Sequence, residues 1–162
     1  MRKRICESSN SVVLQAFHGA KQHHSALKPS LRGTFGSGIY LADDFAAQQY
    51  AGEEGVVLAT QVTLHAPYYY RATFEHDVDL DSPAVDLVRQ LFSWSTAESL
   101  LQSAMATDAG FGREIQVALE ERDFDGLIVE YQDGSKEIVA YNSGQVLVMT
   151  PQPDDTLTPE AC

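Results

Sequence analysis

The sequence predicts an α+β fold, and three observations carry that expectation. β-branched, period-two segments stand near both ends of the chain. Three helical segments fill the middle. No βαβ alternation of the kind that builds a parallel doubly wound sheet connects them.

In chain order, residues 1–10 read as an N-terminal extension, closed by the linker-like run Ser8-Ser9-Asn10-Ser11. Val12 to Phe17 is a β-branched strand ending at His18-Gly19. Residues 20–38 are polar and punctuated by Gly and Pro, a loop with room for one helical turn. Ile39-Tyr40-Leu41-Ala42 is strand-like, and Asp43 or Asp44 can cap a helix running to Ala51. Gly55 to Leu64 alternates with period two, Ala66-Pro67 breaks it, and Tyr68-Tyr69-Tyr70 opens an acidic loop. Ser82 as N-cap with Pro83 at the first helical position starts a helix. Ser95 and Glu98 have capping-box spacing for a second, ahead of Leu100 and Leu101. A third spans Arg113 to Glu121, with Ile115, Val117, Ala118 and Leu119 as its apolar side. The end is β-rich: residues 124–131, an Asp133-Gly134 hairpin turn, residues 136–141 and residues 145–150. Residues 11–150 thus form one domain, followed by a Pro/Asp/Thr-rich flexible tail, 151–162.

The chain's 162 residues suffice for one real core, and 44% hydrophobic with 21% charged residues is ordinary for a globular protein. A net charge of −12 argues against nucleic acid or membrane as partner, because both demand a basic patch. Cys6 and Cys162 lie at opposite ends and make neither a disulfide framework nor a zinc pattern, which fits a reduced, cytosolic setting. MRKR is not followed by a signal-peptide apolar core, and no apolar run reaches membrane-spanning length.

The densest chemical signal is GTFGSGIYLADDFAAQQYA, residues 33–51. A Rossmann site fails here, because Gly36-Ser37-Gly38 runs into a strand rather than a helix and the third glycine is missing. A Walker loop fails for want of Gly-Lys-Ser/Thr. Alone, these glycines describe a structural turn as well as a ligand site.

Three separated segments say more: FHGA (17–20), FGSGIYLADDFAAQQYA (35–51) and KEIVAYNSGQV (136–146). In this order they resemble the His-Tyr-Glu class of ADP-ribosyltransferases, which includes diphtheria-type toxins and poly(ADP-ribose) polymerases. DFDGLIVEY (123–131) is similar to the strand preceding the glutamate in small bacterial and phage members of that family. The resemblance implies a split β-sandwich of two antiparallel sheets, with NAD+ between them, a helical insert on one flank, and no metal. It implies NAD+ contacts from His18, Gly19, Gly38, Tyr40, Ala47 and Tyr50, and catalysis by Glu137 with His18 and Tyr40.

Each role meets a physical need. A flat pyridinium suits an aromatic clamp, and Tyr40 and Tyr50 could form its two sides, although either could equally be a packing residue. Gly19 lets backbone approach a carboxamide, though a strand-end turn also uses glycine. His18 would meet the adenosine-side ribose, where a lone strand-end histidine is ordinarily just a surface residue. Glu137 is a carboxylate between apolar strand neighbours, where burial costs several kcal/mol unless compensated. By resemblance it binds the nicotinamide-ribose 2′-hydroxyl and stabilises an oxocarbenium-like transition state. The bland reading of Glu137 is a solvated residue on a half-exposed strand.

Other constellations are weaker. His18, His23 and His24 have no carboxylate or cysteine at metal-ligand spacing. Asp77, Asp79 and Asp81 lack the glycine and closing glutamate of a calcium loop. There are also departures from the family pattern. The polymerases' nicotinamide-contacting serine falls at Ala47, and Ser135 stands where arginine-specific toxins carry Glu or Gln. The expectation is therefore a mono-ADP-ribosyltransferase acting on a macromolecule, protein ahead of nucleic acid, of the bacterial toxin or phage counter-defence kind, anti-CRISPR enzymes included. Its partners would be NAD+, that acceptor and a target or immunity protein. An NAD+ glycohydrolase, a silent NAD-binding or interaction module, and a nucleic-acid-modifying transferase remain the alternatives.

Overall fold

The computed structural model describes residues 11–23, 26–30, 33–72, 83–107 and 110–149. Among the described residues, seven strands and four helices follow in the order β1 (Val12–Ala20), β2 (Ile39–Ala42), α1 (Asp44–Ala51), β3 (Val56–Leu64), β4 (Pro67–Arg71), α2 (Pro83–Leu91), α3 (Trp94–Thr107), α4 (Gly112–Glu121), β5 (Gly126–Glu130), β6 (Lys136–Ala140) and β7 (Val146–Val148). The fold is α+β. Among the described residues no helix is long and apolar enough to cross a membrane.

Local chemistry explains several element ends. Asp43 caps α1 by accepting from the Ala46 N–H at 2.8 Å, and Gly52, at φ 73°, ends it. The Asp133-Gly134 turn joins β5 to β6, with Gly134 in the left-handed region at φ 86°. Asn142 and Gln145 make a reciprocal capping box on the 3-10 turn Ser143–Gln145, which leads into β7.

All seven strands join one sheet in the order β4-β5-β6-β2-β1-β3-β7. Its seams are unequal. β1 and β3 pair along nine residues, from Val12↔Leu64 to Ala20↔Val56, whereas β1 and β2 share the single pair Phe17↔Ala42. The sheet also folds back on itself at this weak seam. β5 and β3 stand four strand spacings apart in the order, about 19 Å in a flat sheet. Yet a Cβ on Gly126 of β5 would meet Leu64 Cδ2 of β3 at 2.7 Å. The Asp125 carboxylate, at the start of β5, accepts from the His65 and Ala66 N–H groups at 2.7 and 2.9 Å.

Two cores result. Ile39, Leu41, Ile128 and Ile138 from one half of the sheet pack with Ala16, Leu58, Val62 and Leu64 from the other. On the opposite face of β5 and β6, Leu127, Val129 and Val139 pack with Leu87, Val88, Ile115 and Leu119 of the helices. β5 is therefore covered on both sides, which is why it reads as a continuous apolar run rather than an alternation. Thr60, the buried polar residue of β3, is satisfied by donating to Ala16 O at 2.8 Å.

Several expectations are corrected. The two separate antiparallel sheets are one continuous sheet with a parallel pair, β4 beside β5. Tyr68-Tyr69-Tyr70 is part of β4 and not the opening of a loop. Ser93 rather than Ser95 caps α3: its Oγ accepts from the Thr96 N–H at 3.4 Å and bonds the Thr96 hydroxyl at 3.0 Å. Val117 is 43% exposed, because Ile115, Ala118 and Leu119 make the buried stripe of α4. The expectations for residues 1–10, for Ser82, for Asp77, Asp79 and Asp81, and for the tail at 151–162 lie outside the described residues.

Gly126 tests the folded-over packing. Gly126→Ala drives a methyl into Leu64 and Val139 O, so it should destabilise the protein by about 1–3 kcal/mol. The loss should appear as a lower denaturation midpoint with unchanged m-value.

Candidate functional site

A cleft of about 370 Å³ opens where the sheet parts. Continuing the β1–β2 ladder beyond Phe17↔Ala42 would pair His18, Gly19 and Ala20 with Leu41, Tyr40 and Ile39, and these pairs do not form. The diverging backbones need other partners for their polar groups. The cleft is lined by His18 and Gly19 of β1, Gly38 and Tyr40 at β2, Tyr50 of α1 and Glu137 of β6. Six of the seven residues expected from sequence therefore converge on it. Ala47 is the exception. It is 1% exposed on the inner face of α1, and its carbonyl packs where Gly19 would carry a Cβ.

Gly19 is set by that helix. A side chain there would collide with Ala47 O, Ala51 N at 2.8 Å and Tyr50 Cβ at 3.0 Å. The lack of a Cβ lets α1 seat on β1, which brings Tyr50, 67% exposed, to the rim of the cleft.

The glycine loop is built around Tyr40. Its hydroxyl accepts from the Phe35 N–H at 3.0 Å and donates to Gly36 O at 2.6 Å. Gly33 lies so close to the ring that a Cβ there would overlap it, and Gly36 takes φ 113°, open mainly to glycine. The loop is pinned from outside as well. Gln116 Oε1 of α4 accepts from the Ser37 N–H at 2.9 Å, and the Tyr141 hydroxyl donates to Phe35 O at 2.8 Å. Burial pushes the Tyr40 phenol up to about 12, against a smaller lowering by the Phe35 N–H and a further push from the Glu137 charge. Tyr40 is thus neutral at physiological pH. Its hydroxyl is engaged with the loop, which leaves the ring as the surface it offers the cleft.

His18 bridges the seam that the ladder leaves open. Its Nδ1 lies 2.8 Å from Tyr40 O. Because a carbonyl only accepts, Nδ1 carries the proton, and in the neutral ring Nε2 is the acceptor.

Glu137 sits on the same face as Tyr40. The registers Ala42↔Glu137 and Tyr40↔Val139 make the two residues diagonal neighbours. Glu137 is half-buried, and its Oε2 accepts from the Tyr131 hydroxyl at 2.7 Å. Tyr131 is 5% exposed, and its phenol is held well above the usual range, first by burial and then by the Glu137 charge.

Sequence reasoning missed Tyr131, and it missed Lys28, Ser30 and Thr34 of the cleft wall. Hairpin register could have found the first, since Val129↔Glu137 puts residue 131 on Glu137's face. The other three lie in loops without periodicity. Among the described residues no group of three or more His, Cys, Asp or Glu is placed to hold a metal ion.

Four phenols, Tyr40, Tyr70, Tyr131 and Tyr141, are raised chiefly by burial. A raised folded-state pKa gives stability that is complete below the unfolded value of 10.0 and is lost as pH climbs through the folded value. Denaturation midpoints should therefore hold up to pH 10 and fall toward pH 12. Tyr40→Phe should flatten part of that decline, while costing about 1–2 kcal/mol at neutral pH through its two lost hydrogen bonds.

No family model matches the chain. No curated protein matches it either. Among solved structures, a crystal structure of an anti-CRISPR protein is similar at 16% identity and a TM-score of 0.42, covering 85% of this chain and 96% of that one.

Proposed function

We propose that the cleft binds NAD+ and that the protein is a mono-ADP-ribosyltransferase of the His-Tyr-Glu class, with a macromolecular acceptor, protein favoured. The observation that carries this reading is the meeting of His18, Tyr40 and Glu137 in one cleft. They come from three strands, and Gly19 and Tyr50 join them. The parting of the sheet between β2 and β1 gives the cleft the opening a ligand needs.

On this reading the nicotinamide ring lies against Tyr40, with Tyr50 closing its outer side, and Gly19 backbone reads the carboxamide. His18 Nε2 accepts from an adenosine-side ribose hydroxyl. Lys28, a cation on the cleft wall, supplies charge for the diphosphate. The bond between ribose C1′ and the nicotinamide nitrogen breaks, and its electron pair leaves with neutral nicotinamide. Positive charge grows on C1′ and the ring oxygen, and the Glu137 carboxylate stabilises it while accepting from the 2′-hydroxyl. The acceptor's nucleophile then bonds to C1′ and gives up its proton. The net charge of −12 suits a basic protein surface better than a phosphate backbone. The phage counter-defence or toxin setting, with its target or immunity partner, belongs to this proposal as well.

Incubation with NAD+ labelled in the adenylate and a cell lysate tests the reading. Label should enter macromolecules and be released by protease. Nuclease-sensitive label would make nucleic acid the acceptor, and free ADP-ribose alone would mark a glycohydrolase. Glu137→Gln should bind NAD+ about as tightly as wild type but turn over at least ~100-fold more slowly. Unchanged turnover would reject Glu137's role.

A further inference from the structure

We infer that Tyr131 is a positioning residue, whose hydroxyl fixes the rotamer and the ionisation of the Glu137 carboxylate; this rests on the NAD+ reading of the cleft. Tyr131 is a poor candidate for touching substrate. It is buried, does not line the cleft, and stands one residue beyond the end of β5. Its hydroxyl nevertheless meets Glu137 Oε2 at 2.7 Å, within the range expected when a hydroxyl donates to a charged oxygen.

The scaffold delivers this hydroxyl from a fixed point. Tyr131 N–H donates to Ser135 O at 2.9 Å, and Tyr131 O accepts from the Gly134 N–H at 3.0 Å, closing the neck of the β5–β6 hairpin. The hairpin register, Val129↔Glu137 and Glu130↔Lys136, puts residues 131 and 137 on one face as diagonal neighbours. Turn, register and donor thus belong to the same short stretch of chain.

The chemistry needs such a donor. A glutamate side chain has three rotatable bonds, and its carboxylate must present one oxygen to a ribose hydroxyl. A hydrogen bond to Oε2 restricts that freedom before substrate arrives. A donor also favours the charged form of a half-buried carboxylate. Burial keeps the phenol protonated, so it remains a donor. Titratable groups facing the pair include the phenols of Tyr40 of β2, Tyr50 of α1 and Tyr70 of β4, and His18 and Lys28 line the same cleft as Glu137.

Tyr131→Phe removes only the hydroxyl. In steady-state NAD+ turnover its kcat should fall about 10-fold or more with KM for NAD+ nearly unchanged, since an interaction that orients the transition state is lost. The acid limb of its pH profile should move to higher pH, because Glu137 loses a donor to its charged form. The Glu137 carboxyl-carbon NMR titration should move the same way, with or without turnover. In a Glu137→Gln background the same substitution should change little, because the positioned charge is already gone. Unchanged kcat and titration in Tyr131→Phe would overturn the inference while the NAD+ reading stood. An equal loss in both backgrounds would make Tyr131 a packing residue and overturn it too. A wild-type protein that neither binds nor turns over NAD+ would overturn the reading of the cleft, and this inference with it.

Discussion

The candidate site depends on one missing run of sheet hydrogen bonds. β1 holds β3 along its whole length and touches β2 at the single pair Phe17↔Ala42. A continuous ladder would have sealed His18 and Gly19 against Leu41 and Tyr40, leaving no room for a ligand. The parted strands instead fold the sheet over a shared apolar core and leave an opening at its edge. The bond from His18 Nδ1 to Tyr40 O joins the two strands beyond that last pair. One residue therefore closes the seam structurally while holding its other ring nitrogen ready as an acceptor.

The glycines follow from the same constraint. A loop returning from β1 to β2 has to wrap Tyr40 closely and still meet α4. Gly33 admits the Tyr40 ring, Gly36 supplies a left-handed turn against Gln116, and Gly38 fits beneath Val139. None of this requires a phosphate, which is why the glycines fail as a Rossmann or Walker motif and succeed as a mould for a tyrosine. Neutral phenols then surround the carboxylate. Burial keeps Tyr40 and Tyr131 protonated, so both frame Glu137 as neutral phenols.

The fold was legible where sequence contrast exists. β1 was visible through its β-branched residues, β3 through period two, α1 through Asp43, and the β5–β6 hairpin through Asp133-Gly134. β4 was not. Tyr70 is 1% exposed and Tyr69 64%, an alternation of environment written in three identical residues. Period two cannot be seen without contrast between apolar and polar residues. The start of α3 was misread because Ser95 with Glu98 matches the capping-box spacing, whereas Ser93, the true cap, has Thr96 three residues on and carries no such signature. The site was legible through its spaced motifs, as far as side chains on strands were concerned. Ala47 lies off the cleft, and position along a helix does not reveal which side Gly19 will meet. Tyr131 needed the hairpin register, and Lys28, Ser30 and Thr34 needed the folded loop. The number of rungs between two strands leaves no trace in composition, so one sheet could not be told from two.

The central claim, that three separated segments build one NAD+ site at the parted seam, is tested most directly by an amide NMR titration of the full chain with NAD+. The account predicts saturable shifts at Gly19, across Gly33 to Tyr40, at Tyr50 and around Glu137, with the exposed surface near Trp94 unaffected. Saturable shifts clustered elsewhere, or none at millimolar NAD+, would contradict it.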